Sequence, residues 1–183
     1  MSIDIKNVGA QAATNASAVL STEDPYVTVT DGQEDYGTIQ SGEIISIENG
    51  FALEIAPDIP DQHTLTFLLT VTAEDSWTSD FTITVNAPNL VMRKLSVDDE
   101  EAGNGNGILD PGETAHLLIE VRNLGMAASS AIIGQINTTD PYLEIIDGLF
   151  ETDSLGPDEI IQATYLVALD PSTPMGTVVG LRS

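Results

Sequence analysis

"KNVGAQAATNASAVLSTEDPYVTVTDG", Lys6 to Gly32, lies without a gap over "RNLGMAASSAIIGQINTTDPYLEIIDG", Arg122 to Gly148, at an offset of 116 residues from Asn7 to Asn123. The coincidences include Asn7 with Asn123, Gly9 with Gly125, Asp24-Pro25-Tyr26 with Asp140-Pro141-Tyr142, and Asp31-Gly32 with Asp147-Gly148. Further on, Glu43-Ile44 matches Glu159-Ile160 and, after a small deletion, Pro60 matches Pro174. Self-similarity at one spacing is the mark of repeated modules, so the chain reads as two copies of one unit.

The copies are out of phase with the chain. Nothing in the first corresponds to the segment from about Leu90 to His116, and nothing in the second to "TVTAEDSWTSDFTITVNAP" from Thr70. The expected division is therefore residues 1–88, a first repeat lacking its N-terminal strand and glycine-rich loop, and residues 89–183, a second repeat lacking its C-terminal hairpin. Both copies read as incomplete, and the chain as a fragment of a longer protein. "NAPN", Asn86 to Asn89, is the expected junction, kept short and stiff by its proline.

Period-2 patterning dominates both copies. "HTLTFLLTV" puts Leu65, Phe67, Leu69 and Val71 on one face, and "DFTITV" does the same with Phe81, Ile83 and Val85. The intervening "AEDSWTS" reads as the turn of a hairpin. "HLLIEV" offers Leu117, Ile119 and Val121; "IIQATYLVAL" offers Ile161, Ala163, Tyr165, Val167 and Leu169. No segment combines a 3.6-residue period with helix caps. Short strands separated by Asp, Gly, Pro and Asn predict an all-β fold of tandem immunoglobulin-like sandwiches, with about seven strands per complete copy.

Composition narrows the function classes. A net charge of −24, from 29 acidic and 5 basic residues, repels a phosphate backbone, so nucleic acid and anionic membrane surfaces are not expected partners. An excess of carboxylate favours divalent cations, and equally makes an ordinary solvated surface. The absence of cysteine excludes disulfides, thiol catalysis and Cys-ligated zinc. No apolar run reaches the roughly 20 residues of a membrane span, so membrane insertion is not expected.

"GNGNGILDPGET" (Gly103 to Thr114), a following strand, "RNLG" (Arg122 to Gly125), small residues and then "TTDPYLEIIDG" (Thr138 to Gly148) form a recognisable succession. In these motifs the chain resembles the immunoglobulin-like modules of bacterial surface and secreted proteins. The nearest likenesses are cell-adhesion-related (CARDB-like) domains and the tandem modules of gingipain-type multidomain proteins. The first copy keeps "KNVG" and "STEDPYVTVTDG" but not the glycine-rich loop. The resemblance implies an extracellular or cell-surface location and an accessory role, structural or adhesive, with catalysis left to other domains.

The glycine-rich loop supports two readings. With Glu113 as the last of twelve positions, Asn104 falls third, Asn106 fifth, Gly107 sixth, Ile108 (by its carbonyl) seventh and Asp110 ninth. That is the EF-hand-type order for Ca2+. Position one is Ala102, which has no side-chain oxygen, so Asp98 or Asp99 would have to fold in from the preceding strand. The calcium reading takes Asp98, Asn104, Asn106, Ile108, Asp110 and Glu113 as the ligand set. The other reading is a glycine-rich turn bent at Asp110-Pro111-Gly112, with Asn104 and Asn106 tolerating left-handed backbone.

The remaining candidates are few. His63 and His116 are the only histidines; His116 adjoins the loop and is read as a surface residue, a metal contact being the alternative. Neither has a recognisable nucleophile near it in sequence, so no catalytic activity is expected. Asp24 and Asp31 are read as turn residues rather than a glycosidase pair. Tyr26 and Tyr142 should pack at a sandwich edge, and Trp77 should fold back onto the core; the alternative for these aromatics is sugar contact or surface recognition. A protein or glycan partner is therefore the second functional reading, beside the spacer. The incomplete sheets also predict self-association through open edges near Ile3 to Lys6 and Val178 to Leu181.

Overall fold

A computed structural model describes residues 1–182. It is all-β, with fourteen strands and no helix among the described residues. The chain divides into two compact units at Val85/Asn86, and residues 86–89 belong with the second.

In the first unit the strands are β1 (Asp4–Lys6), β2 (Ala13–Ser21), β3 (Val27–Asp31), β4 (Gln33–Ile39), β5 (Ile44–Ser46), β6 (Ala52–Ile55), β7 (His63–Thr72) and β8 (Ser76–Val85). They form a four-stranded sheet in the order β4-β2-β7-β8 and two ribbons, β1-β5 and β3-β6. The second unit contains β9 (Leu90–Asp98), β10 (Thr114–Asn123), β11 (Ile132–Gln135), β12 (Leu143–Asp147), β13 (Leu149–Thr152) and β14 (Ile160–Leu169). Its four-stranded sheet runs β12-β14-β10-β9, with a ribbon β11-β13. Every pairing is antiparallel. This arrangement is consistent with sandwich packing, in which one face of each strand is buried and the other solvated.

The alternation works as the side-chain period requires. Leu65, Phe67 and Leu69 are buried on β7, and Ala163, Tyr165, Val167 and Leu169 on β14. In the second unit the β14 residues join Leu117, Ile136 and Leu143 in one cluster, onto which Val97, Phe150, Val179 and Leu181 pack. The β7-β8 hairpin differs from expectation. Its strands remain paired out to Thr72↔Ser76, so the turn shrinks to Ala73–Asp75 and Trp77 lies within β8 opposite Val71. Trp77 is 53% exposed and is not a plug on the core.

The sequence repeat is also a repeat of register. Asp4↔Ser46, Ile5↔Ile45 and Lys6↔Ile44 become Glu120↔Gln162, Val121↔Ile161 and Arg122↔Ile160 on adding the offset. Ser17↔Asp35, Ala18↔Glu34 and Val19↔Gln33 become Ile133↔Glu151, Gly134↔Phe150 and Gln135↔Leu149. Beyond the deletion, Val27↔Ile55 becomes Leu143↔Leu169, and the irregularity at Val29/Asp31 recurs at Ile145/Asp147. A one-residue slip would send every inward side chain to solvent, so shared register means shared inner faces. The two residues that the first copy has in excess divide one long strand into β5 and β6. Phe51 still exchanges backbone hydrogen bonds with Met1, as the match to Leu117↔Tyr165 requires.

Asn123 and Asn7 lie at the centre of this frame. Asn123 is wholly buried. Its Oδ1 accepts the N–H groups of Asn89 and Gly125, both at 2.9 Å, and its Nδ2 donates to the carbonyls of Ala127 at 2.8 Å and Leu155 at 3.0 Å. Its own N–H and C=O bond to Glu159 and Asp158. Asn7 repeats this with Gly9, Gln11, Ile39, Glu43 and Gly42, each at the matching position. Only the Asn89 contact has no counterpart among the described residues.

One core position shows the two copies compensating for each other's changes. A Cβ on Gly134 would lie 2.5 Å from the Tyr165 hydroxyl, whereas the matched positions in the first unit hold Ala18 and Phe51, both buried. The hydroxyl of one copy replaces the methyl of the other. Gly134→Ala should therefore destabilise the second unit by about 1–3 kcal/mol through overpacking, and Gly134→Ala with Tyr165→Phe should recover most of it. Denaturant unfolding of the three variants checks this; additive losses in the double variant would contradict it.

Candidate functional site

The loop between β9 and β10 is built around a residue outside the proposed ligand set. Alternation along β9 turns Val97 and Asp99 inward and Asp98 outward, and Asp99 is only 2% exposed. Its Oδ2 accepts the N–H groups of Gly105 (3.0 Å) and Asn106 (3.1 Å), and its Oδ1 that of Gly107 (2.9 Å). Gly105 and Gly107 both have φ of +74°, the left-handed region that costs glycine nothing. Glycine on either side of Asn106 points three successive N–H groups to one side, a concave anion nest with the Asp99 carboxylate in it. The Gly107 hydrogen bond leads in holding the Asp99 carboxyl below the usual range, against burial, which pushes it up; the Asn106 and Gly105 bonds reinforce the lowering.

The predicted ligands are only partly brought together. Asn104 and Asn106 each donate Nδ2 to Asp110 Oδ2 at 2.9 Å. Their own Oδ1 atoms accept the N–H groups of Asn106 (3.1 Å) and Ile108 (2.7 Å), which fixes both amides in this orientation. Glu113 Oε2 accepts the Asp110 N–H at 3.1 Å, closing the Asp110-Pro111-Gly112 bend. Asp98 remains outside, where its Oδ1 accepts the Glu100 N–H at 3.3 Å. Among the described residues no three His, Asp or Glu side chains converge as a metal-holding group. A cation needs oxygens turned inward; as folded, this loop turns N–H groups inward onto an oxygen. Asp99 could have been singled out from the sequence by sharing Val97's inward parity.

The other candidates are turn-builders. His63 Nε2 lies 2.8 Å from Asp24 Oδ2, and the Tyr26 ring meets the imidazole edge-on at 5.0 Å. Asp24 Oδ1 accepts the Tyr26 N–H, as Asp140 Oδ1 accepts that of Tyr142, both at 3.0 Å. Thr22 and Thr138 cap the same turns and reach across to the Thr66 and Gly180 carbonyls. The hydrogen bond to His63, followed by that from Tyr26, holds the Asp24 carboxyl below its usual range. His116 lies opposite Asp98 in the β9-β10 ladder. Trp77 instead edges an apolar groove of about 400 Å³ in the first unit, with Ile5, Val8, Ala13, Ile39 and Val71.

In comparisons with known proteins, no family model matches the chain and no curated protein matches it significantly.

The nest makes a pH-dependent prediction. Because the folded pKa of Asp99 is lowered, its stabilisation is complete above the unfolded value of about 3.9 and is lost as pH falls through the lower folded value. Asp99→Asn replaces one acceptor oxygen by an NH2 facing backbone N–H groups. The second unit of this variant should melt lower than wild type at neutral pH, with the gap narrowing as pH falls below that of ordinary aspartates. Thermal melts across the acid range check this; a gap that does not change with pH would contradict it.

Proposed function

We propose that the chain is a pair of non-catalytic immunoglobulin-like modules serving as a structural or adhesive spacer in a bacterial extracellular multidomain protein. The observation that carries this reading is the frame built twice: two related stretches of sequence hold one strand register and one Asn-centred network. A spacer needs a repeated frame. The commitment of Asp24, Asp140 and His63 to turns supports it, as does the likeness of "RNLG" and "TTDPYLEIIDG" to CARDB-like modules.

Calcium is the further form of this proposal, with Asp98, Asp110 and Glu113 as its carboxylates. It requires the Asn104 and Asn106 amides to turn their oxygens toward the ion, and Asp98 and the Ile108 carbonyl to come in. An ion bound only to the native state adds about 2.7 kcal/mol at a hundredfold excess over its Kd. The calcium form therefore expects a rise of several degrees in melting temperature in millimolar calcium, abolished by Asp110→Ala. Superimposable melts in calcium and in chelator would leave Asp99 alone as the stiffening group.

A carbohydrate- or protein-binding module is the second reading, favoured by the half-exposed Trp77 beside an apolar groove. The spacer predicts no reproducible binding on a glycan array and only background turnover of peptide, ester and glycoside substrates. Glycan binding lost in Trp77→Ala would replace it with the recognition reading, and turnover abolished by a point substitution would replace both.

A further inference from the structure

We propose that Asn49 is a site of spontaneous covalent modification, at which the Gly50 nitrogen attacks the Asn49 side chain and expels ammonia, and that the Asp99 nest shields two further Asn-Gly pairs from the same reaction. The reactants are the chain's own amides and water. The inference stands on a comparison of three identical dipeptides and does not depend on the spacer reading.

Asparagine before glycine is labile because glycine has no side chain to obstruct the approach of its nitrogen to the preceding amide. That nitrogen gives up its proton and bonds to the asparagine Cγ. The Cγ–Nδ2 bond breaks, and Nδ2 takes up a proton and leaves as ammonia. One water then opens the resulting cyclic imide at either of its two carbonyls. One opening leaves aspartate; the other leaves isoaspartate, whose main chain runs through the former side chain. Three contacts hinder the first step: an acceptor holding the glycine N–H, a partner holding the asparagine Nδ2, and a partner fixing its Oδ1.

Three asparagines in the sequence precede glycine: Asn49, Asn104 and Asn106. At the latter two every one of these contacts is made. The Asp99 carboxylate holds the Gly105 and Gly107 N–H groups, at 3.0 and 2.9 Å. Asn104 and Asn106 each donate Nδ2 to Asp110. Their Oδ1 atoms accept the N–H groups of Asn106 and Ile108, so neither Cγ is free to turn toward the following nitrogen.

Asn49 makes none of them. It is exposed, in the turn between β5 and β6. Its backbone N–H goes to Ser2 Oγ at 3.2 Å, while its side-chain amide has no partner among the described residues. The Gly50 N–H has no acceptor among them either, although Gly50 is buried. A buried donor without an acceptor raises the energy of the ground state, and the attack removes that donor. The turn also requires this dipeptide. Asn49 has φ of +55°, which asparagine tolerates better than most residues. A Cβ on Gly50 would lie 3.0 Å from Glu34 Cγ and 3.1 Å from both Glu34 Cδ and Ile47 Cγ2. The pair that fits the turn is thus also the pair that reacts.

The test is peptide mapping of the whole chain after ageing at mildly alkaline pH, once folded and once in concentrated urea. Cleavage after glutamate releases Asn49 to Glu54 and Ala102 to Glu113, so the two places are read separately. In urea both peptides should convert, with the mass change of an amide becoming a carboxyl and with isoaspartate among the products. In the folded chain the first should convert and the second should be slowed about tenfold or more, the rate equivalent of a hydrogen bond to a carboxylate that attack must break. Asp99→Asn, aged below its melting temperature, should restore conversion in the second peptide and leave the first unchanged. A first peptide that converts in urea and not in the folded chain would overturn the Asn49 site. Equal conversion of the two peptides in the folded wild type, or continued protection in Asp99→Asn, would overturn the shield.

Discussion

The buried asparagine carries the frame. Asn123 stands where β10 leaves its sheet, and its amide reaches four backbone groups: the N–H of Asn89 before β9, the N–H of Gly125, and the carbonyls of Ala127 and Leu155. A chain leaving a strand in an apolar interior exposes donors and acceptors that water cannot reach, each costing about 1–3 kcal/mol when left unmet. One amide supplies two acceptor positions and two donors, which is the number needed. Leucine would fill the volume and strand all four groups; aspartate would supply no donor for the carbonyls. The recurrence of the same bonds around Asn7 shows that this residue belongs to the module and not to one accident of packing.

With the crossing fixed, the strands have little latitude in register, and the units vary elsewhere. One keeps β14 whole, while the other divides the same strand into β5 and β6 around two extra residues and still holds Phe51 against Met1. One fills its centre with alanine and phenylalanine, the other with glycine and tyrosine. Dense interiors tolerate exchanges that keep volume, and the Gly134-Tyr165 pair keeps it by moving one heavy atom from a small side chain to a large one.

The loop at 99–113 illustrates how one composition serves opposite polarities. Alternating Asn and Asp around glycines can gather oxygens about a cation, or can gather N–H groups about an anion while the amides satisfy turns. Which happens depends on where the nearest carboxylate already stands. Here β9 delivers Asp99 into the hollow, and the N–H groups of Gly105, Asn106 and Gly107 close on it. Asn104 and Asn106 are then left to brace Asp110.

Period-2 alternation and the offset between the copies determined the all-β class, the strands at His63 to Val71, His116 to Val121 and Ile160 to Leu169, and the equivalence of Asn7 with Asn123. Both signals are local or self-referential, and a chain need not be folded to display them. Tertiary structure alone decided the rest. Pairing out to Thr72↔Ser76 moved Trp77 from a turn into a strand, because cross-strand hydrogen bonds outlast the last inward side chain. Parity with Val97 hints in the sequence that Asp99 turns inward, but its place at the centre of the loop was decided by Gly105, Asn106 and Gly107 closing their N–H groups on it. The need for glycine at position 125 likewise comes from the fold: a Cβ there would lie 2.2 Å from the Ala87 carbonyl oxygen, on a segment remote in sequence that only the folded chain brings close.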